Sequence, residues 1–226
     1  TPFPGILAAG CEAPCRAACR LNEIPGGQSV DIPAVERAAM RHGAARTGRG
    51  LLKFKKKKTA AVFGAELFTL IVAGELAAKS YPTKFFVAEG SAEELMDKCA
   101  PFLSPEDRAA EIKRLAAMDI ELEYGSELTP ELVRGAGADI VCVSREVLAL
   151  LDKSAAPDEV TLWCESLGVL ARAGENGGVI SAFYDARRAG VSADRLAQDM
   201  SPDTMRGEEG PVESRLYTDL SEAKPA

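Results

Sequence analysis

Three of the six cysteines fall in one short string, Cys11-Glu12-Ala13-Pro14-Cys15-Arg16-Ala17-Ala18-Cys19. Thiolates are soft ligands and suit iron–sulfur clusters. Positions four apart face one way on a helical turn, so this spacing lets two or three sulfurs converge. Pro14 favours a turn before Cys15. The competing use of such residues is as small buried hydrophobes, and their density in the string favours ligation. The spacing differs from the C-x3-C-x2-C of radical enzymes. Cys99, Cys142 and Cys164 are single: Cys99 on a helix, Cys142 on a buried strand and Cys164 after a strand. Core packing is expected of each. The single histidine, His42, sits in a polar, basic stretch and reads as a surface residue. Its scarcity weighs against Ser-His-Asp, Cys-His and zinc–His chemistry.

The string needs a body to hold it, and 226 residues suffice for one sizeable domain with a small attachment. Hydrophobic residues make up 46% and charged residues 27%, an ordinary globular balance. The net charge of -7 argues against nucleic acid. The basic run of Lys53 and Lys55 to Lys58 reads as a solvated linker. No stretch approaches the ~18 to 20 apolar residues that span a bilayer. No basic region followed by an apolar core opens the chain, so no signal peptide is expected. Clustered rather than evenly spread cysteines fit a reducing, cytoplasmic compartment better than a disulfide scaffold.

Residues 1 to about 50 offer no strand pattern, only a helix from Pro33 to about His42 with Asp31 or Ile32 near its start. Arg46 to Lys58 reads as a linker. The pattern then changes. Thr59–Phe63 is a short apolar strand, Gly64 a turn, Leu67–Lys79 a helix and Lys84–Ala88 a second strand. Strand, turn, helix and strand over so short a span make a βαβ unit of a parallel sheet. Ser104-Pro105-Glu106-Asp107 starts another helix, with a cap, a first-turn proline and acids at the positive dipole end. Its apolar face carries Ile112, Leu115 and Ala116. Ile120–Tyr124 alternates like a half-buried strand. Thr129-Pro130 caps a short helix, and Ala138–Val143 is a further buried strand. Val160–Trp163 and Gly168–Ala171 read as short strands and Val179–Ala189 as a helix. The charged, Pro- and Gly-rich tail from Ser201 is expected to be extended.

Several of these pieces, in order, resemble the glutamate synthase small subunit family. Thr1–Pro4, the string Cys11 to Cys19, Leu21-Asn22-Glu23 and the stretch Val30 to Ala38 are similar to that family's N-terminal iron–sulfur domain. The family pattern there is C-P-x-P-C-E-x-A-C, then N-E, then a V-x-I-x-x-I-E-R-A helix start. The resemblance implies [4Fe-4S] ligation by Cys11, Cys15 and Cys19. A polar side chain near Glu36 serves in relatives, which makes Glu36 a candidate oxygen ligand; an exposed helix-start acid is its other reading. The family carries two clusters, with further ligands from an upstream cysteine-rich segment that this sequence does not contain. The resemblance therefore implies one cluster completed from elsewhere, a partner chain that supplies the upstream ligands, or a vestigial site.

The likeness continues into the body. Lys57–Gly64 is similar to the G-K-x-V-A-V-I-G that opens the family's flavin domain, Ala73–Ala77 to its first helix, and Ile120–Tyr124 and Ala138–Val143 to later strands. The family's NAD(P)H domain would lie between Ser144 and Val160, an interval too short for any domain, so nicotinamide binding is not expected. A dinucleotide fingerprint needs glycines for a tight turn, for pyrophosphate approach and for helix packing. Those positions here are Gly64, Glu66 and Thr69. Glu66 would set an anion where the pyrophosphate should sit, at a helix N-terminus that its own carboxylate can satisfy. The ribose-binding acid position falls at Val87, with Glu89 two residues on. The family's A-T-G reads Val143-Ser144-Arg145, and its second flavin contact reads Gly174-Glu175. Together these departures imply that FAD binding is lost or much altered.

The expected fold is α/β. A small N-terminal helical iron–sulfur segment (1–50) precedes a Rossmann-like, FAD/NAD(P)-binding-type parallel-sheet domain (51–200) that lacks the inserted NAD(P)H domain, and an extended tail follows (201–226). The expected role is an electron-transfer or scaffold subunit of a multi-subunit iron–sulfur redox complex. The alternatives are an active FAD-containing subunit with a reshaped site and a cofactor-free assembly module.

Overall fold

The computed structural model describes residues 1–43, 54–172 and 177–204. Its centre is a strand of small and apolar residues, β1 (Ala60–Phe63), buried along its whole length. Such a strand needs apolar cover on both faces, the condition of a central strand in a parallel sheet. It pairs in parallel with β2 (Thr83–Phe86) on one side and β4 (Ile140–Val143) on the other, so that Phe63 lies opposite both Phe86 and Val143. β3 (Ile120–Glu123) adds to β2 in parallel. β6 (Val169–Ala171) adds to β4 in parallel, and the two-residue β5 (Trp163–Cys164) closes that edge antiparallel to β6. The order β3-β2-β1-β4-β6-β5 makes a six-stranded, mostly parallel α/β sheet of Rossmann-like form.

Strand side chains alternate between faces, and β1 divides its residues accordingly. Ala60 and Val62 enter a large core with α4 (Leu67–Ala78), α5 (Ala92–Cys99), α6 (Pro105–Ala116) and α9 (Val179–Leu196). Ala61 and Phe63 enter a smaller one with α7 (Pro130–Gly135) and α8 (Arg145–Leu151). The rings of Phe63 and Phe86 stack with centroids 4.8 Å apart. α4 is apolar nearly all round, as a helix buried on several sides must be. Its Gly74 lies against Pro2 and Phe3.

That contact joins the N-terminal residues to the body. α1 (Pro4–Gly10) starts at a proline, whose missing N–H costs nothing in the first turn. Phe3 and Ile6 are fully buried in the same core as Val62 and Leu70. Glu111, buried on α6, accepts the Gly5 N–H (3.0 Å). α2 (Pro14–Ala17), a 3₁₀ turn (Arg20–Glu23) and α3 (Ile32–His42) follow. Asp31 caps α3 by accepting the Ala34 N–H (3.2 Å). Arg41 then ties α3 to α6 through both oxygens of Asp107, at 3.2 and 2.8 Å. His42 is exposed at the end of α3.

Two sequence expectations need correction. Val160–Trp163 is not a strand. Asp158 accepts the N–H groups of Val160 (2.9 Å) and Thr161 (2.7 Å), and Leu162 takes a positive φ of 60°, so the segment turns until β5 begins at Trp163. Cys164 accordingly lies within β5 rather than after a strand. The last helix does not stop before Gly190. The small residues Ala186, Ala189, Gly190 and Ala193 let α9 lie close on α4, and packing outweighs the weak helix propensity of glycine. The described part of the basic run is irregular and mostly exposed, as expected of a solvated linker, and its lysines also form surface ion pairs. Lys55 pairs with Asp119 (2.8 Å), Lys56 with Asp194 (2.6 Å) and Lys58 with Asp139 (3.1 Å). Lys53 lies outside the described residues, as does most of the expected tail.

Among the described residues, no helix is long and apolar enough to cross a membrane.

Candidate functional site

The cysteine string does not form one helix. Cys11 is extended and ends α1 (φ -66°, ψ 124°). Ala13 is left-handed (φ 55°, ψ 46°), outside the right-handed helical region that a following proline disfavours. Cys15 lies in the single turn of α2. Cys19 is extended again before the 3₁₀ turn. The facing expected from a spacing of four is therefore absent. Pro14 breaks the string and starts a new helix, so the periodicity argument has no helix to act on. The fold of the string is held by the Arg16–Asp31 ion pair (3.7 Å) and by Asn22 Nδ2 donating to the Arg16 carbonyl (2.9 Å).

All six cysteines are free. Cys11, Cys15 and Cys19 are partly exposed, while Cys99, Cys142 and Cys164 are buried. Burial pushes the thiols of Cys99 and Cys142 far up, and the negative charge of Glu66 acts the same way on both. These two are inert packing residues at neutral pH, as the sequence led one to expect. Glu36 is exposed on α3. Among the described residues, no group of three or more His, Cys, Asp or Glu side chains is gathered to hold a metal ion. A [4Fe-4S] cluster takes four thiolates. The exposed string matches that donor type with three thiols and is one short, and the buried cysteines lie in the cores of the sheet domain.

The second candidate site opens at the carboxyl ends of β1 and β4, where open α/β sheets bind ligands. A cavity of about 570 Å³ lies there, bordered by Glu12, Glu66, Lys98, Glu146, Arg172 and Gly178. Gly64 makes the turn out of β1 with φ at +92°, and a Cβ on it would collide with Ser144 Oγ. Thr69 Oγ1 donates to the Gly64 carbonyl (2.6 Å) and accepts the Glu66 N–H (3.0 Å), closing the first turn of α4. Glu66 caps α4, and its Oε1 accepts the N–H of Arg145, the first residue of α8 (2.9 Å). Ser144 Oγ accepts the Val147 N–H on the same helix (3.2 Å).

The turn is thus built like a dinucleotide turn and filled unlike one. The carboxylate of Glu66 stands between two helix starts, where a phosphate would need bare backbone donors. At the ribose position, Val87 is fully buried and offers no polar atom. Glu89 Oε1 is taken by Lys98 (3.0 Å), which also lies 3.7 Å from Glu146. Glu89 Oε2 is buried without a hydrogen-bond partner among the described residues. Gly174 and Glu175 lie outside the described residues. These residues do not fit the pyrophosphate and ribose of a flavin dinucleotide.

The far wall is Arg172, buried at the end of β6. It donates to Asp185 (2.7 Å) and Ser181 (2.6 Å) and so fixes the start of α9. There the backbone N–H of Val179 is held by Glu12 Oε1 (2.6 Å), from the residue that follows Cys11. Sequence reasoning missed Glu12. Its partner lies 167 positions away, and no local pattern announces it. It also missed a polar knot at the opposite end of the sheet, where Asp194 on α9 accepts from Lys56 (2.6 Å), Tyr81 (2.6 Å) and Lys79. Burial raises the Asp194 carboxyl, but hydrogen bonds from Lys56, Lys79 and Tyr81 outweigh it and hold the group at about 2.

No protein-family model and no curated protein matches this chain. Among solved structures, it is similar to histamine dehydrogenase from Rhizobium sp. 4-9, with 19% identity over 41% of this chain and 15% of that one, at a TM-score of 0.31. It is also similar to 6-hydroxypseudooxynicotine amine oxidase from Pseudomonas geniculata N1, with 17% identity over 47% of this chain and 15% of that one, at a TM-score of 0.30. The aligned part is under half of this chain and spans about 15% of the length of either enzyme.

Proposed function

We propose that this chain is an electron-transfer or scaffold subunit of a multi-subunit iron–sulfur redox complex. In this reading Cys11, Cys15 and Cys19 contribute thiolates to a [4Fe-4S] cluster whose remaining ligand comes from a partner chain. The observation that carries the reading is the division of the thiols. Three are free and partly exposed on one short string, and three are buried in the sheet domain's cores. Partly exposed, clustered thiols are accessible to ligands and oxidants alike, and ligation to a cluster would protect them from oxidation. A cluster held there would supply one-electron transfer. The resemblance of the string and of the α3 start to the glutamate synthase small subunit family supports the same ligands.

The body contributes position rather than chemistry in this proposal. Glu66 fills the turn that a flavin would need, and the interval after Ser144 holds only α8 and a turn. The test is to replace Cys11, Cys15 and Cys19 together by serine in the native complex. The complex should lose about four irons per chain, the content of one [4Fe-4S] cluster. Unchanged iron rejects the ligand assignment.

A second reading is a cofactor-free assembly module, favoured by the Glu66 carboxylate bonded at the start of α8, where a dinucleotide's phosphate would need a bare N–H. It predicts that the triple serine variant leaves the complex intact, active and unchanged in its electron paramagnetic resonance spectrum.

A further inference from the structure

Three helix starts converge on the crevice at the carboxyl ends of β1 and β4, and each is already capped from within the chain. At α4, the first turn is closed by Glu66 and Thr69. At α8, Arg145 N–H is bonded to Glu66 and Val147 N–H to Ser144. At α9, Val179 N–H is bonded to Glu12. Backbone donors at helix starts are what such a fold offers to a ligand's anionic groups. Here they are spent on the protein's own side chains.

Glu12 differs from the other caps because it is not part of the sheet domain's own turns. It belongs to the cysteine string, and it reaches α9 from the far end of the sequence. The fit is close on both sides of the bond. A Cβ added at Gly178 would collide with the Glu12 carboxylate, and one added at Gly10 would strike the Phe102 ring and the Val179 side chain. α1 also packs directly on α9. Gly178 has φ at -64°, which any residue can adopt, so its lack of a side chain serves space rather than backbone conformation.

We propose that the crevice is an intramolecular docking site, in which Glu12 seats the cysteine string on the start of α9 and Glu66 closes the neighbouring turn. Through Glu12 the string takes the donor at the start of α9 that a dinucleotide would otherwise use there. The orientation of Cys11 relative to the sheet domain follows from this contact. Whatever the cysteines bind is carried at a fixed position on the body rather than on a free arm.

The contact can be broken from either side, by Glu12→Ala, which removes the carboxylate, or by Gly178→Ala, which displaces it without touching Glu12. Amide hydrogen exchange on the full chain is the readout. Both variants should speed exchange over residues 11–19 and at Val179 by about fivefold, the scale of losing one charged helix cap that governs a local opening. Exchange in β1 and β4 should stay as in the native chain. The proposal is overturned if either variant leaves residues 11–19 unchanged. It is also overturned if β1 and β4 accelerate equally, because the string then has no opening of its own. FAD titrated into the native chain should show no binding, and stoichiometric binding at this crevice overturns the proposal as well.

Discussion

The cysteine string and the turn after β1 are both places where the chain resembles a cofactor-binding protein, and they depart from that pattern in opposite ways. The string keeps the ligand-type residues and lacks the geometry, with three free thiols along a chain broken at Ala13 and Pro14. The turn keeps the geometry and lacks the residues. Gly64 still adopts φ of +92° and α4 still starts behind it, but Glu66 occupies the place of the ligand. In the proposed reading the string leaves its thiols partly exposed for a partner's ligand to complete the cluster. The turn bonds its helix-start donors to its own side chains, since an unbonded buried N–H costs about 1–3 kcal/mol.

The sharpest way to break this contrast is to ask whether the N-terminal residues are a separate piece. Phe3 is fully buried beside Gly74 of α4. Phe3→Ala should cost about 3–5 kcal/mol of the stability of the whole sheet domain in urea unfolding. A loss of under about 1 kcal/mol would make α1 an independent attachment.

Next in size is Gly64→Ala. It imposes a side chain at a positive φ and drives a Cβ into Ser144 Oγ, which cannot yield without giving up Val147 N–H. A loss of about 2–3 kcal/mol is expected. A neutral result would mean that the turn is no longer held in its dinucleotide-type shape.

The knot around Asp194 gives a pH signature of similar size. Its folded pKa of about 2 lies below the ordinary 3.8, so its stabilisation is fully present above the unfolded value and is lost as pH falls through the folded one. The contribution is about 2 kcal/mol and should disappear between about pH 4 and pH 2. Asp194→Asn should flatten the acid limb of stability against pH in that window. A limb unchanged by the substitution would assign the acid sensitivity elsewhere.

The smallest effect concerns the string itself. Ala13 is left-handed, a conformation that glycine adopts without strain. Ala13→Gly should stabilise the folded chain by less than about 1 kcal/mol, since relief of strain is partly offset by a more flexible unfolded state. Destabilisation would show that the Ala13 methyl group makes a contact of its own.

The legibility of these regions in the sequence follows from the range of the interactions that build them. The βαβ unit was readable because an apolar strand, a turn glycine and an apolar helix are local patterns. The starts of α3, α6 and α7 were readable because Asp31, Ser104 and Thr129 cap within three residues. α1 and α8 carry comparable signals, Pro4 and the Ser144 cap, but each helix has only seven residues, too few for its periodicity to stand out. Glu12 on Val179, Glu66 on Arg145 and the Asp194 knot join residues 79 to 167 positions apart, and no periodicity encodes them. The failure of the helical-facing argument at the cysteines was encoded, since Pro14 sits between Cys11 and Cys15 and forces the break.

The most direct test of the central claim is anaerobic purification of the chain with its native partners, followed by iron, sulfide and flavin quantification per chain. The account predicts about four irons and four sulfides beyond those owed to the partners, and no flavin. Flavin bound at one per chain, or no iron beyond that of the partners, would contradict it.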